Sequence, residues 1–117
     1  MIKIYHNPRC KKSRAGLKYL EAKDADFEVV EYLKHPVSED EFKDILMKLN
    51  LKPQEMIRTQ EDIYKKQFKG KNFTDEEWIK IMVENPKLIK RPIVVKDYKA
   101  VWADPPENME VLFTGKG

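Results

Sequence analysis

The sequence predicts an α/β fold, a four-stranded mixed sheet with a helical insertion between a βαβ half and a ββα half. Three observations predict it. A strand pattern, an amphipathic helix pattern and a second strand pattern open the chain, and two capped helix patterns occupy its middle. Two adjacent strand patterns and a helix pattern close it. A βαβ unit joined to a hairpin and a closing helix gives one sheet of mixed strand directions.

The first half of the pattern lies in residues 2–33. Residues 2–5 predict a short strand, and the Asn7-Pro8 step forces a turn because the residue before a proline avoids helical angles. Asn7 offers a side-chain oxygen for that turn or for a cap. Residues 10–22 predict an amphipathic helix, and residues 27–33, rich in β-branched and aromatic side chains, predict a second strand. The helix face predicted to be buried carries Ala15, Leu17, Leu20 and Ala22.

The middle of the chain predicts helices. Ser38 and Thr74 are each followed three residues later by a glutamate, which is the pattern of a capping box. Pro53 opens a short helix to residue 58, and residues 59–71 give a weaker helical pattern. The predicted buried stripes are Phe42, Ile45, Leu46 and Leu49 in the first capped helix, and Trp78, Ile81 and Met82 in the second.

The last part of the chain predicts a hairpin and a helix. A strand begins behind Pro92, and a turn at Lys96-Asp97 leads into a strand over residues 98–103. Residues 104–107 open a final helix, and residues 114–117 are expected to fray. We therefore expect a single domain over residues 1–117, with the helical insertion at approximately residues 38–89.

Composition narrows the class of protein. The 117 residues include 41% hydrophobic residues, enough for one modest core. The net charge of +3 comes from 23 basic and 20 acidic residues, so direct nucleic-acid binding is not indicated. The opening residues do not resemble a signal peptide, and no apolar run reaches membrane-spanning length. We expect a cytoplasmic protein that does not bind membranes.

Cys10 is the candidate for chemistry because it is the only cysteine and lies at a predicted strand-to-helix turn. Free N–H groups in the first turn of a helix favour the thiolate, as do the flanking cations Arg9, Lys11 and Lys12. A buried structural cysteine is the alternative. One cysteine excludes an intramolecular disulfide, so a redox reaction needs a second thiol from another molecule. With two histidines besides, the chain offers no metal-ligand cluster, and we expect no metal and no bound cofactor.

The chain resembles the ArsC family of glutathione- and glutaredoxin-linked arsenate reductases, whose relatives include YffB and the transcriptional regulator Spx. The resemblance spans nearly the whole chain and rests on three motifs in the family's order. It implies a thioredoxin-like fold in which the helical segment is inserted between the two halves. The three motifs are Tyr5-His6-Asn7-Pro8-Arg9-Cys10 with Ser13-Arg14, Met56-Ile57-Arg58, and Lys90-Arg91-Pro92-Ile93-Val94-Val95.

The resemblance also implies an activity. The Cys10 thiolate attacks arsenate, glutathione as co-substrate displaces the arsenic adduct, and glutaredoxin resolves the mixed disulfide. Arg58 and Arg91 match two oxyanion-binding arginines of the family, and Pro92 matches a proline that is typically cis beside the cysteine. Supporting residues of the thiol loop are His6, Asn7 and Ser13.

The sequence departs from the family pattern at one position. Arsenate reductases carry a third arginine after the third strand, and an ungapped count from Arg91 places Asp104 there. An anion at that place should weaken the binding of a dianion. The hypotheses are therefore a thiol-dependent reductase acting on arsenate or on a glutathione-linked disulfide, or a regulator that, like Spx, binds the RNA polymerase alpha subunit. Ser13 stands where Spx proteins commonly have a second cysteine, so that regulator would act without a disulfide switch.

Overall fold

The computed structural model describes residues 1–114. The predicted frayed tail, apart from Thr114, lies outside the described residues. The chain divides into two compact units. One consists of Met1–His35 and Arg91–Gly117, and the other of Pro36–Lys90.

The first unit contains the sheet. Four strands pair among the described residues: β1 (Ile2–Tyr5), β2 (Phe27–Val30), β3 (Ile93–Lys96) and β4 (Lys99–Trp102). Their order in the sheet is β2-β1-β3-β4. β1 runs parallel to β2 and antiparallel to β3, and β3 pairs with β4 as an antiparallel hairpin. The mixed α/β arrangement predicted from the sequence is confirmed. The helices of this unit are α1 (Lys11–Glu21) and a 3-10 helix over Pro106–Leu112.

The second strand is shorter than its sequence pattern predicts. β2 ends at Val30, and the backbone N–H groups of Lys34 and His35 both donate to the carbonyl oxygen of Glu31. This turn removes Tyr32 from the strand and buries its side chain almost completely. The apolar character of Tyr32 and Leu33 therefore reflects burial in a turn and not continued strand pairing.

One core of the first unit lies among β1, α1, β3 and the residues that follow β4. The predicted inward face of α1 is wrong in part, because Ala15 and Ala22 are exposed and the buried positions are Ser13, Gly16 and Leu20. Small residues thus occupy much of the buried face, so neighbouring chain can approach the helix closely. The core cluster consists of Ile2, Ile4, Leu20, Val94, Ala103, Met109 and Leu112.

The second unit contains α2 (Glu39–Leu49) and α3 (Asp75–Glu84). Both predicted N-caps are confirmed: Ser38 accepts from the Glu41 N–H, and Thr74 and Glu77 form the reciprocal capping box. Leu49 and Ile81 are only partly buried, and Ile79 takes a buried place in α3. The shorter helices are 3-10 over Pro53–Met56 and Pro86–Leu88, and π over Tyr64–Phe68.

No helix within residues 1–114 has both the length and the apolar character to cross a bilayer.

Candidate active site

The strand register brings two distant segments together. β1 ends at Tyr5, which lies opposite Ile93, the first residue of β3. Since β1 and β3 are antiparallel, the loop that leaves β1 and the Arg91-Pro92 segment that enters β3 lie at the same end of the sheet. The loop leads to Cys10, and the entering segment carries Arg91.

The loop between β1 and α1 is shaped by Asn7. Its side-chain oxygen accepts a hydrogen bond from the Arg9 N–H at 3.0 Å, and its carbonyl oxygen accepts from the Cys10 N–H at 3.0 Å. The turn predicted from Asn7-Pro8 is therefore present, and the Asn7 side chain forms it as an asparagine commonly does. These two hydrogen bonds place Cys10 at the N-cap of α1, in an extended conformation.

A buried polar network lies beneath this loop. Ser13 is completely buried, and its hydroxyl oxygen lies 2.8 Å from His6 Nδ1 and accepts from the Asn7 N–H at 2.9 Å. The His6 N–H donates to the carbonyl oxygen of Val30 at 2.9 Å. His6, Asn7 and Ser13 therefore form one unit that fixes the loop to the sheet, and each buried polar group has a partner.

The Cys10 thiol is partly exposed, and its pKa is lowered from the ordinary value. Burial alone would raise the pKa, but the Ser13 N–H, a hydrogen bond from the Arg91 side chain, the Lys12 N–H and the Arg91 charge together lower it further than burial raises it. The side chain makes no cap hydrogen bond of ordinary geometry. The N–H groups at the start of α1 therefore act mainly through their partial charges. The environment favours a thiolate.

The pKa of His6 is also lowered, which keeps the imidazole neutral. Burial is the main cause, the Arg14 charge acts in the same direction, and the Glu31 charge and a hydrogen bond with the Ser13 backbone oppose it. A buried neutral histidine that is hydrogen-bonded to Ser13 holds the loop in place. Its position favours a structural role over direct proton transfer to a substrate.

Arg91 and Pro92 enter the site from the other end of the chain. Arg91 is almost fully buried, and its backbone carbonyl accepts from the Trp102 indole N–H at 3.2 Å. The Arg91–Pro92 peptide bond is cis, and Pro92 is fully buried. Its carbonyl oxygen accepts from the Ala103 N–H at 2.9 Å. Contacts on both residues therefore hold the segment that carries the Arg91 guanidinium.

Gly16 lies directly against this segment. A Cβ atom built at Gly16 would be 2.6 Å from Pro92 Cγ, well inside any normal contact, and 3.6 Å from the carbonyl oxygen of Ala103. Only glycine permits α1 to pack this closely on Pro92. A lone glycine inside an amphipathic helix pattern is the sequence signal of such an approach.

Arg58, the other predicted oxyanion-binding arginine, belongs to the second unit. It follows Ile57, which forms a bridge with Ile89, and its own N–H donates to the carbonyl oxygen of Leu88 at 2.7 Å. Its Nε donates to Glu61 at 3.1 Å, in an ion pair that is mostly buried. The side chain is thus held in place by Glu61. Its role toward an anion stays a prediction.

Two features of the site were not found from the sequence. The first is an ion pair of 3.1 Å between Lys12 Nζ and Asp104 Oδ2. The second is the hydrogen bond from the Trp102 indole to Arg91, for which the general need of a partly buried tryptophan for an acceptor was the available signal. Within residues 1–114, histidine, cysteine and carboxylate side chains do not gather in a group of three that could hold a metal.

Comparison with known proteins places the chain among close relatives. A model of the ArsC family matches residues 5–112. An arsenate reductase of Neisseria meningitidis serogroup A is 41% identical over 113 residues, which cover 95% of this chain and 97% of the relative. The Escherichia coli K12 protein YfgD is 42% identical over 92% of each chain. The solved structure of an arsenate reductase from Vibrio cholerae superposes with a TM-score of 0.89 at 38% identity, over 94% of this chain and 95% of that one.

Proposed function

Because this chain belongs to the ArsC family, we propose that it is a thiol-dependent arsenate reductase with Cys10 as its nucleophile. The single observation that carries the proposal is the position of the Cys10 thiol at the N-cap of α1, within hydrogen-bonding reach of the Arg91 guanidinium. A thiolate is the reactive form of cysteine, and a guanidinium offers a planar fork of donors to a tetrahedral oxyanion. The relatives named arsenate reductase support arsenate as the oxyanion.

The first step is attack of the Cys10 thiolate on the arsenic atom. A sulfur–arsenic bond forms, one arsenic–oxygen bond breaks, and the oxygen leaves as water after it takes protons. Arsenic stays in its higher oxidation state in this step. Arg91 balances the charge that passes from sulfur to the oxyanion, so its contribution is electrostatic positioning of substrate and thiolate.

The second step needs an external thiol, for which glutathione is the candidate. Its thiolate attacks the Cys10 sulfur, a disulfide forms, and the sulfur–arsenic bond breaks with its electron pair remaining on arsenic. Arsenite leaves, so two thiols lose two electrons and arsenic gains them. A second external thiol, supplied by glutaredoxin in this proposal, then attacks the mixed disulfide and returns Cys10 to the thiolate. The single cysteine of the chain supports an external resolving thiol.

Arg58 is proposed as a second ligand of the oxyanion. Its support is the family match of the motif that carries it and a side chain already ordered by Glu61 at 3.1 Å. A guanidinium whose rotamer is fixed loses less entropy when it binds an anion. The regulatory alternative has no observation of this chain that favours it, and it stays a prediction.

The test is arsenite formation from arsenate by the full chain, with glutathione and glutaredoxin supplied. We expect the wild-type protein to form arsenite and Cys10→Ser to give only the background rate. His35→Gln, a change at an exposed residue of the Pro36 turn, is the control and should retain the wild-type rate. Mass spectrometry of the protein after incubation with oxidised glutathione should find one glutathione per chain.

Two outcomes would overturn parts of the proposal. Arsenite formation by Cys10→Ser at the wild-type rate would remove Cys10 as the nucleophile. A glutathione adduct on the wild-type protein without any arsenite formation would keep the thiol chemistry and remove arsenate as the substrate.

A further inference from the structure

The ion pair between Lys12 and Asp104 connects the first turn of α1, which follows Cys10, with the segment that follows β4. Lys12 is two residues beyond Cys10 in the first turn of α1, and its N–H is one of the groups that lower the thiol pKa. Its ammonium lies 3.1 Å from the Asp104 carboxylate. The lysine side chain is 59% exposed and the aspartate 22%. Asp104 therefore offsets the charge of an exposed cation that lies two residues beyond Cys10.

The backbone around Asp104 is held on both sides. The preceding residue, Ala103, is buried and donates its N–H to the Pro92 carbonyl oxygen at 2.9 Å. The carbonyl oxygen of Asp104 accepts from the Asn108 side-chain amide at 3.2 Å, and the same amide donates to the Trp102 carbonyl oxygen at 3.1 Å. Asp104 is thus attached to the segment that brings Arg91 to the thiol. The carboxylate is a fixed part of the site's surroundings and differs in this from a mobile surface charge.

We propose that Asp104, by pairing with Lys12, sets the charge preference of the Cys10 thiolate and is a specificity-determining residue. The inference rests on the proposed role of Cys10 as nucleophile. Compared with a site in which Lys12 is unpaired, the surroundings then attract reaction partners with a carboxylate beside the reacting sulfur less, and repel partners with an ammonium there less. Arsenate is then held by directed hydrogen bonds from guanidinium groups, with little long-range attraction from Lys12.

The expected size of the effect follows from Coulomb's law. One unit of charge at roughly 8 Å in water changes a rate by about two- to threefold, and a partly buried site changes it more. Reagents that differ by two charges at the reacting end should therefore differ by about five- to tenfold in their response to a change at Asp104.

The experiment measures thiol–disulfide exchange at Cys10 with three small disulfides. These are cystamine, which is cationic, dithiodipropionate, which is anionic, and hydroxyethyl disulfide, which is neutral. In each reaction the Cys10 thiolate attacks one sulfur of the reagent, and the reagent's disulfide bond breaks. Cys10 and the attacked sulfur form a mixed disulfide, and the other half of the reagent leaves as a thiolate. Since Cys10 is the only cysteine, every adduct reports on this site. Rates are divided by the thiolate fraction measured separately for each variant.

We expect Asp104→Asn to lower the ratio of the cystamine rate to the dithiodipropionate rate by about five- to tenfold. The neutral disulfide should change by less than about twofold, a smaller effect than one unit of charge exerts. Asp97→Asn makes the same exchange at an exposed turn residue of the β3–β4 hairpin and should leave the ratio unchanged. Lys12→Gln should raise the ratio, because Asp104 then stands uncompensated. High salt should reduce each difference.

An unchanged ratio in Asp104→Asn, or an equal change with all three disulfides, would overturn the inference. Lys12→Gln tests it independently if Asp104→Asn does not fold. The three disulfides involve no arsenic, so the inference and the proposed function fail separately. If the disulfide rates show no charge preference, the proposed arsenate reductase activity is still tested by arsenite formation in the wild type and Cys10→Ser. If no arsenite forms, the charge preference is still tested by the disulfide rates.

Discussion

The hydroxyl oxygen of Ser13 lies 2.8 Å from His6 Nδ1, and the two residues connect the first turn of α1 to the loop that follows β1. Ser13 also presents its N–H to the Cys10 sulfur. One residue therefore fixes the loop with its side chain and polarises the thiol with its backbone. Stability and thiol reactivity should depend on each other at this position.

Ser13→Ala should lower both the stability of the protein and the reactivity of the Cys10 thiol. The change leaves the buried Asn7 N–H and the His6 imidazole without the partner that each has now, at a cost of about 1–3 kcal/mol in the free energy of unfolding. Denaturant unfolding measures that cost, and the alkylation rate of Cys10 against pH measures the thiol. A variant with wild-type stability would contradict the role given to the network.

Ser38→Ala is the matched control for the serine exchange. It removes an N-cap hydroxyl in the second unit and should cost about 1 kcal/mol. Its Cys10 alkylation profile should stay that of the wild type. A profile that moves equally in both serine variants would show that the thiol responds to stability in general.

Stability should fall as the pH drops below the ordinary range of histidine. Burial lowers the pKa of His6, so the unfolded chain binds a proton at a higher pH than the folded protein does. The contribution of neutral His6 is complete above the unfolded pKa of about 6.5 and is lost as the pH falls toward the lower folded value. Unfolding free energies at several pH values from neutral to mildly acidic should fall in the wild type and fall less in His6→Gln.

His35→Gln, the same exchange at an exposed histidine, is the control for this titration. If His6→Gln and the wild type lost stability in parallel over the whole range, the pH dependence would have to come from other groups.

Gly16→Ala should destabilise the protein although alanine is the better helix former. The new Cβ atom would meet Pro92 Cγ at 2.6 Å, and neither the proline ring nor the helix backbone yields easily. We expect a loss of roughly 1–3 kcal/mol in the free energy of unfolding, together with slower alkylation of Cys10. Thermal or denaturant unfolding and the alkylation rate measure these two effects.

Ala15→Gly is the control, because it measures the effect of helix propensity alone at the adjacent, exposed position. It should cost about 0.5–1 kcal/mol and leave the thiol unaffected. A stabilising Gly16→Ala would mean that α1 can move away from Pro92 at little cost.

Arg91→Gln should raise the pKa of Cys10, because it removes a hydrogen bond and a positive charge from the thiolate. Loss of one charge-assisted hydrogen bond predicts about a 10- to 100-fold lower kcat/KM for arsenate. Arg91→Lys keeps the charge and should retain more of the lowered thiol pKa than Arg91→Gln. The alkylation rate against pH gives the pKa, and an identical profile for Arg91→Gln and the wild type would contradict the contact.

The elements could be predicted, and Cys10 could be named as the candidate nucleophile, because their signals are local. Ser38 and Thr74, each with a glutamate three residues later, predict the starts of two helices from four residues of sequence, and Cys10 is the only cysteine. The buried face of α1 could not be predicted in the same way. Apolarity pointed to Ala15 and Ala22, whereas close packing on Pro92 selected the smallest residue, Gly16, and the network selected Ser13. Size and hydrogen bonding outweighed hydropathy there.

The contacts between distant segments were also beyond the sequence pattern. Nothing local connects Lys12 with Asp104, and spacing alone does not bring Arg91 to Cys10. Both contacts depend on the pairing of β1 with β3, which is a property of the folded sheet. The resemblance to a family supplied Arg91, and only the structure supplied the Lys12–Asp104 pair.

The pairing of Tyr5 with Ile93 sets limits on how the chain can change its length. A deletion of one residue between Arg91 and Ile93 would turn the β3 side chains to the opposite face of the sheet, and a slip of two residues would move Arg91 by about 7 Å. The Asp97 turn lies at the far end of the same hairpin and does not set this register. Insertions should therefore be tolerated at Asp97, while the few residues before β3 should admit no change in number.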